Sequence, residues 1–170
     1  NPTKTGYSFL GWTPSGSIPA GSTGDKHFVA TWTTAIIYKI SYVLGGGTND
    51  PTNPATYTVE TLPITFAAPC RLGYNFLGWF IGATRYTGIV AGTTGDKTFT
   101  AKWSAPIRYN ITYTLNGGTN NFWNPSFYTV NSGNITLRDP VRLGYNFAGW
   151  TPTDNIPAGS TGDKAFTANW

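Results

Sequence analysis

Apolar and polar residues alternate with a period of two through much of this chain, and no stretch sustains the 3.6-residue period of a helix. Ile36, Tyr38, Ile40, Tyr42 and Leu44 fall on one side of a segment whose other side carries Ile37, Lys39, Ser41 and Val43, which predicts a strand over 36–44. Gly46-Gly47-Thr48 then forces a turn. Tyr57–Val59 and Ile64–Phe66 predict two short strands divided by Pro63, which has no amide hydrogen to give a ladder. Asn75–Phe80 predicts a further strand, followed by a Gly-rich loop. A Gly-Asp turn then leads into a closing strand over 97–103. One short helical turn fits between the first two strands.

The same order of elements recurs. Gly6-Tyr-Ser-Phe-Leu-Gly-Trp12, Gly73-Tyr-Asn-Phe-Leu-Gly-Trp79 and Gly144-Tyr-Asn-Phe-Ala-Gly-Trp150 are copies of one motif. Gly-Asp-Lys returns at 24–26, 95–97 and 162–164. Alternating segments close each copy, with Phe28, Ala30, Trp32, then Phe99, Ala101, Trp103, then Phe166, Ala168, Trp170. The front halves match as Tyr38–Tyr42 with Tyr109–Tyr113, and Tyr57-Thr58-Val59 with Tyr128-Thr129-Val130. From the Gly-Trp tryptophan to the following Asp the separations are 13, 17 and 13 residues, and from that Asp to the next such Trp they are 54 and 54. The middle copy therefore carries four extra residues, within 80–94. A fixed frame with one variable loop is how a packed repeating unit behaves. The organisation expected is 1–34, the back part of an incomplete repeat; 35–105, a complete repeat with the insertion; and 106–170, a complete repeat. The first lacks its opening strands, so a sheet edge and half a core await a preceding segment or another molecule.

Composition narrows the class. Only 11% of the 170 residues are charged and 16% are aromatic, a chain that folds rather than one that stays disordered. The net charge is +4, but Lys and Arg are spaced singly, not gathered into the stripe that nucleic acid requires. Cys70 is the one cysteine, so no internal disulfide forms, and no run of about 20 apolar residues exists to span a membrane as a helix. The chain contains no Met and no charged-then-apolar leader, as expected of a processed or excised piece.

Tyr109-Asn-Ile-Thr-Tyr-Thr-Leu-Asn-Gly-Gly-Thr119, Pro140-Val-Arg-Leu-Gly-Tyr-Asn-Phe-Ala-Gly-Trp150 and Ile156-Pro-Ala-Gly-Ser-Thr-Gly-Asp-Lys164, ending in Phe166–Trp170, resemble the internalin B-repeat, also called the Listeria–Bacteroides repeat. The resemblance covers essentially the whole chain. It implies a mostly β fold of tandem small β-grasp-like repeats with little or no helix. It also implies extracellular or cell-surface microbial proteins in which such repeats serve as stalks or adhesive spacers, without catalytic, cofactor or metal residues. Val43-Leu-Gly-Gly-Gly47 departs from the Leu-Asn-Gly-Gly form of the later copy and is expected to alter only the turn.

The residues alone give the same answer about chemistry. Trp12, Trp79 and Trp150, with Trp32, Trp103 and Trp170, recur at fixed places and are expected to fill the core of a unit too small to do without large side chains. Asp25, Asp96 and Asp163 precede strands and are expected to bond their own turns. His27 stands where the other copies have Thr98 and Ala165, and no second His or Cys accompanies it for a zinc site or a triad. Asn110-Ile-Thr and Asn134-Ile-Thr fit the glycosylation pattern, which is common by chance. The positions that differ among copies carry the functional suspicion: Phe80, Arg85 and Tyr86 in the insertion, and Phe122, Trp123 and Phe127 in the last copy. A non-catalytic spacer is the leading expectation. Recognition of a host protein or glycan through the aromatic loops comes second, and a fibre in which other copies of the chain complete residues 1–34 third. Neighbouring repeats are the partners expected in every case.

Overall fold

The computed structural model describes all 170 residues, and it contains strands and no helix. Residues 1–34 form β1 (Phe9–Thr13) and β2 (Val29–Trp32). The middle stretch forms β3 (Tyr38–Val43), β4 (Thr56–Tyr57), β5 (Ile64–Thr65), β6 (Phe76–Ile81), β7 (Thr84–Tyr86), β8 (Gly88–Ile89) and β9 (Lys97–Trp103). The last forms β10 (Tyr109–Thr114), β11 (Phe127–Tyr128), β12 (Ile135–Thr136), β13 (Gly149–Thr151), β14 (Asn155–Ile156) and β15 (Lys164–Asn169). The segment between β3 and β4 is turn and isolated bridge, so the short helical turn that fitted there does not form.

The opening and closing strands of each complete stretch are parallel neighbours. Ile40 faces Lys97 and Tyr42 faces Phe99, just as Ile111 faces Lys164 and Tyr113 faces Phe166. The sheets run β4-β3-β9-β6-β7 and β11-β10-β15-β13. β5 pairs with β8, and β12 with β14, as separate antiparallel ribbons. The insertion expected as a Gly-rich loop is a hairpin instead. β6 runs on to Ile81, turns at Gly82 and returns as β7, which puts Tyr86 beside Trp79 and 5.6 Å edge-on to Phe99. Its extra residues lie before Ile89, the buried counterpart of Ile156.

Rings build the cores. Trp79, Tyr57 and Phe99 are at most 2% exposed, and Trp150, Tyr128 and Phe166 occupy the matching places. Each such side chain contributes on the order of 2–3 kcal/mol by leaving water. Trp32, Trp103 and Trp170 are half-buried, edge-on to Phe9, Phe76 and Phe147 at 5.6–5.7 Å. Trp12, expected in the core with them, is instead 40% exposed, because no opening strand covers it.

Packing divides the chain into Asn1–Cys70 with Gly78–Lys102, and Arg71–Leu77 with Trp103–Trp170. Each unit thus joins the Gly-Tyr turn of one copy to the body of the next. In the first unit, Gly6 is buried at φ +75°, and a Cβ there would come within 2.5 Å of a Val59 methyl. Its carbonyl accepts a 2.8 Å bond from the Ile36 amide, and Tyr7 donates its hydroxyl proton to Glu60. In the second unit, Gly73 lies at φ +73°, a Cβ there would come within 2.3 Å of a Val130 methyl, and its carbonyl accepts from the Ile107 amide at 2.8 Å. The Tyr74 hydroxyl meets Asn131 Nδ2 at 2.9 Å. A basic residue lies over each tyrosine, Lys4 at 3.8 Å and Arg71 at 3.8 Å. The third copy has Arg142 at 3.6 Å over Tyr145, while Gly144 is exposed with nothing near it.

Two predictions follow from this packing. Gly73→Ala and Gly144→Ala impose the same left-handed strain, of about 1–2 kcal/mol, but only Gly73→Ala also pushes against a valine. Thermal melting is expected to show a larger loss for Gly73→Ala, restored toward the Gly144→Ala value by Val130→Ala. Separately, burial pushes the hydroxyls of Tyr42 and Tyr113 up to about 12. An unfolded tyrosine ionises near pH 10, so the stability linked to these groups is full below that pH and is lost as pH rises toward 12. Urea melts across this window are expected to lose stability less steeply in a Tyr42→Phe, Tyr113→Phe variant.

Candidate interaction surface

Two groups of residues differ among the copies, and they lie in different packing units. In the first unit the insertion hairpin carries Phe80, Arg85 and Tyr86. Phe80 and Arg85 are cross-strand partners, and Lys102 Nζ lies 4.2 Å over the Phe80 ring. The Arg85 side chain covers Gly78, where a Cβ would be 2.5 Å from its Nε. Tyr86 is 37% exposed and its ring leans on Phe99. This hairpin therefore caps the core of its own unit. Beneath it an apolar cavity of about 200 Å³ is bounded by Ile81, Ile89 and Phe99, with Lys97 beside it.

The second unit carries Phe122, Trp123 and Phe127. Phe127 lies under the Arg108 guanidinium at 3.5 Å and is 42% exposed. Phe122 and Trp123 are 89% and 72% exposed and touch each other edge-on at 5.3 Å. The turn beneath them is held by asparagines. Asn124 Nδ2 donates to Asn120 Oδ1 at 2.8 Å and to the Arg138 carbonyl at 2.9 Å, and Asn124 Oδ1 accepts from the Arg138 amide at 2.7 Å. The Trp123 amide donates to Asn121 Oδ1 at 3.1 Å.

The middle copy builds the same turn without the aromatic pair. Asn53 Nδ2 donates to Asn49 Oδ1 at 2.8 Å and to the Ala67 carbonyl at 3.0 Å, and Asn53 Oδ1 accepts from the Ala67 amide at 2.8 Å. Pro51 and Thr52 stand at its tip. Hence the rings of Phe122 and Trp123 add nothing that the turn needs; a rigid turn displays them. Such a pair suits stacking on a sugar face or insertion into an apolar pocket of a partner.

No His, Cys, Asp and Glu side chains gather into a group able to hold a metal ion. His27 and Cys70 are exposed and solitary, and Asn134 holds the Ala158 amide through its Oδ1 at 2.7 Å. The repeated aspartates have a role other than the local turn bond expected of them. Asp96 Oδ1 accepts from the Lys39 amide and Asp163 Oδ1 from the Asn110 amide, both at 2.7 Å, across 57 and 53 residues. Each pins the start of an opening strand to the turn before its closing strand. Tyr57 and Tyr128 add a second tie by donating to the Gly95 and Gly162 carbonyls. An Asp kept in all three Gly-Asp-Lys turns, where Asn or Ser would make an equal local turn, was the signal available for this. The Asn49/Asn53 and Asn120/Asn124 clamp was likewise visible as two asparagines at one spacing in both copies.

Replacing Phe122 and Trp123 by the Pro and Thr of the middle copy is expected to leave the melting temperature nearly unchanged, within about 0.5 kcal/mol. Asn124→Ala, which strands the Arg138 amide and carbonyl, is expected to cost about 1–3 kcal/mol. Circular dichroism melts of the two variants make the comparison.

No match was found among curated proteins or among solved structures. A family model does match, that of the Listeria-Bacteroides repeat domain, over residues 38–102 and again over 109–168. These spans open on the first residues of β3 and β10 or beside them and close within β9 and β15, so each match encloses one parallel pair with its Asp tie. Covering well over half of the chain in two successive copies, they show that this chain belongs to the Listeria-Bacteroides repeat family.

Proposed function

We propose that these repeats are a non-catalytic spacer in a microbial surface or secreted protein, of the kind named internalin B-repeats. Repeats of this family are found in surface proteins. The observation that carries the reading is the parallel pairing of β3 with β9 and of β10 with β15. The chain enters a complete stretch at the start of one strand and leaves at the end of its parallel neighbour. Tension between the two points acts along the strands and loads the evenly spaced ladder bonds together. Each unit of this size adds about 25–30 Å of reach. The Gly–Val contacts seat each Gly-Tyr turn on the body of its own packing unit.

Single-molecule pulling on the whole chain is expected to give two sharp unfolding events, each releasing roughly 200 Å of chain. Asp96→Ala should lower the force of one event and leave the other unchanged. Gradual opening at low force, one bond at a time, would end the spacer reading.

A second reading rests on the exposure of Phe122 and Trp123. We infer that this pair gives the array an adhesive contact with a host protein or glycan, in addition to its reach. Phe122→Ala with Trp123→Ala should abolish binding to an immobilised glycan or host-protein panel while the melting temperature holds. A panel on which the unaltered chain captures nothing removes this reading and leaves the spacer.

A further inference from the structure

The insertion hairpin caps a core that the last copy closes without one. There, five residues, 151–155, connect Trp150 to Ile156, and Ile156 and Phe166 are nonetheless 1% and 3% exposed. The middle copy uses nine, 80–88, between Trp79 and Ile89. Burial of the rings therefore does not require β7. What the added chain supplies is a set of walls.

Ile89 and Phe99, both buried and both matched in the last copy, bound the cavity of about 200 Å³ on the side of the core. Ile81 and Tyr86 of the hairpin and Val90 after β8 bound it elsewhere. These three are particular to the middle copy, because the places of Ile81 and Val90 are taken by Pro152 and Pro157 and Tyr86 has no counterpart. Each wall is held by bonds of its own. The Phe66 amide donates to the Thr87 carbonyl at 2.8 Å, β8 pairs with β5, and the Thr93 amide donates to the Val90 carbonyl at 3.3 Å. Gly88 is required by that pairing, since a Cβ there would come within 1.8 Å of the Ile64 carbonyl oxygen. The cavity is thus shaped before anything enters it, which lowers the cost of binding.

Its chemistry is one-sided. The lining is aliphatic and aromatic but for Thr93 and Lys97, and no acidic residue borders it. Lys97 Nζ donates to the Thr94 carbonyl at 2.7 Å, which holds the ammonium at the turn before β9, while the neighbouring Asp96 carboxylate is committed to the Lys39 amide. Val90 is 73% exposed and Ile81 36%, so apolar surface is left in water where a bound molecule would cover it. An apolar cavity with a few polar groups at one side is the usual form of a small-molecule site. A cavity of about 150 Å³ accommodates one benzene ring, so this one has room for a ring or short alkyl chain with a small head group.

We propose that the insertion hairpin makes the middle copy a binding site for a small apolar carboxylic acid. The body, a single ring or a chain of about six carbons, lies between Ile81, Tyr86 and Val90 and against Phe99. The carboxylate takes a hydrogen bond from the Lys97 ammonium, which is free to offer its other protons, and from the Thr93 hydroxyl. The last copy keeps the lysine, as Lys164, but not the walls, and does not take part. The site stands on this geometry whether or not the array acts as a spacer.

The test titrates phenylacetate, and separately hexanoate, into the whole chain and follows methyl and amide resonances by NMR. Saturable shifts of Ile81, Ile89 and Val90 are expected, with Ile156 unmoved and a dissociation constant on the order of 0.1–1 mM, as suits about ten non-hydrogen atoms. Phenylacetamide, which has the same body and no charge, should bind at least about tenfold more weakly, the scale of a hydrogen bond to a charged group. Lys97→Met should weaken phenylacetate by a similar factor and bring it level with the amide, whereas Lys164→Met should change neither. Replacing residues 80–88 by the sequence of 151–155 should abolish binding, with the unshifted spectrum of the last copy showing that the chain still folds. Absence of saturation by either acid overturns the proposal, as does equal binding of phenylacetamide or equal shifts at Ile156. Shifts of Ile81 and Val90 that follow protein concentration alone would show that a second copy covers the cavity, and would overturn it too.

Discussion

Everything in a complete stretch depends on bringing its opening strand beside its closing strand, in parallel, across more than fifty residues of intervening chain. Parallel neighbours cannot be joined by a tight turn, so local sequence does little to hold them. The fold meets this with a tie at the point where the two strands begin. The Asp96 and Asp163 carboxylates each take a backbone amide of the opening strand, and the Tyr57 and Tyr128 hydroxyls reach the neighbouring Gly carbonyls. Once those ends are fixed, Tyr42 and Tyr113 lie against the Gly-Trp tryptophans and the ring core closes. Residues 1–34 show the converse. With the turn present and the opening strand missing, the tryptophan is exposed and the first part of the closing strand is not a strand.

The period of the sequence is not the period of the packing. Copies align from opening strand to closing strand, but Arg71–Leu77, which carries the Gly73-Tyr74 turn, leaves its own copy and packs with Trp103–Trp170, the body of the next. A glycine at positive φ is required at that place for two reasons. The backbone must turn there, and the valine of the following copy occupies the space a side chain would need. Stability in such an array is a sum over units and their contacts. The Gly–Val joint is therefore as much a part of the fold as the sheets are.

Repetition made the fold class, the strand order and the closing strand over 97–103 legible, because alternation and recurring motifs are properties of the sequence itself. Three features were not. The role of Asp96 and Asp163 depends on an amide more than fifty positions away, which local turn chemistry cannot reveal. The glycines of the insertion suggest a loop, yet Gly82 makes a hairpin turn and Tyr86 finds a place on Phe99. Trp12 shares its motif with Trp79 and Trp150, and motif alone implied burial; exposure is decided by whether the covering strand is there. Of the variable residues, Phe80, Arg85 and Tyr86 have packing partners in their own unit, whereas Phe122 and Trp123 have only each other.

That contrast bears on how such a repeat can acquire a function without losing its shape. An asparagine clamp satisfies the backbone at the base of the turn in both copies, through the same pattern of side-chain donors and acceptors. Local polar bonds of this kind are complete in themselves and ask nothing of the tip. Pro51-Thr52 and Phe122-Trp123 therefore sit on the same support, and the difference between them is felt almost wholly by solvent or by whatever the tip meets. A repeat built this way separates the residues that tie its sheet together from the residues that are free to differ at its surface. The first are held to one pattern by pairing across the sheet, and the second can drift from copy to copy.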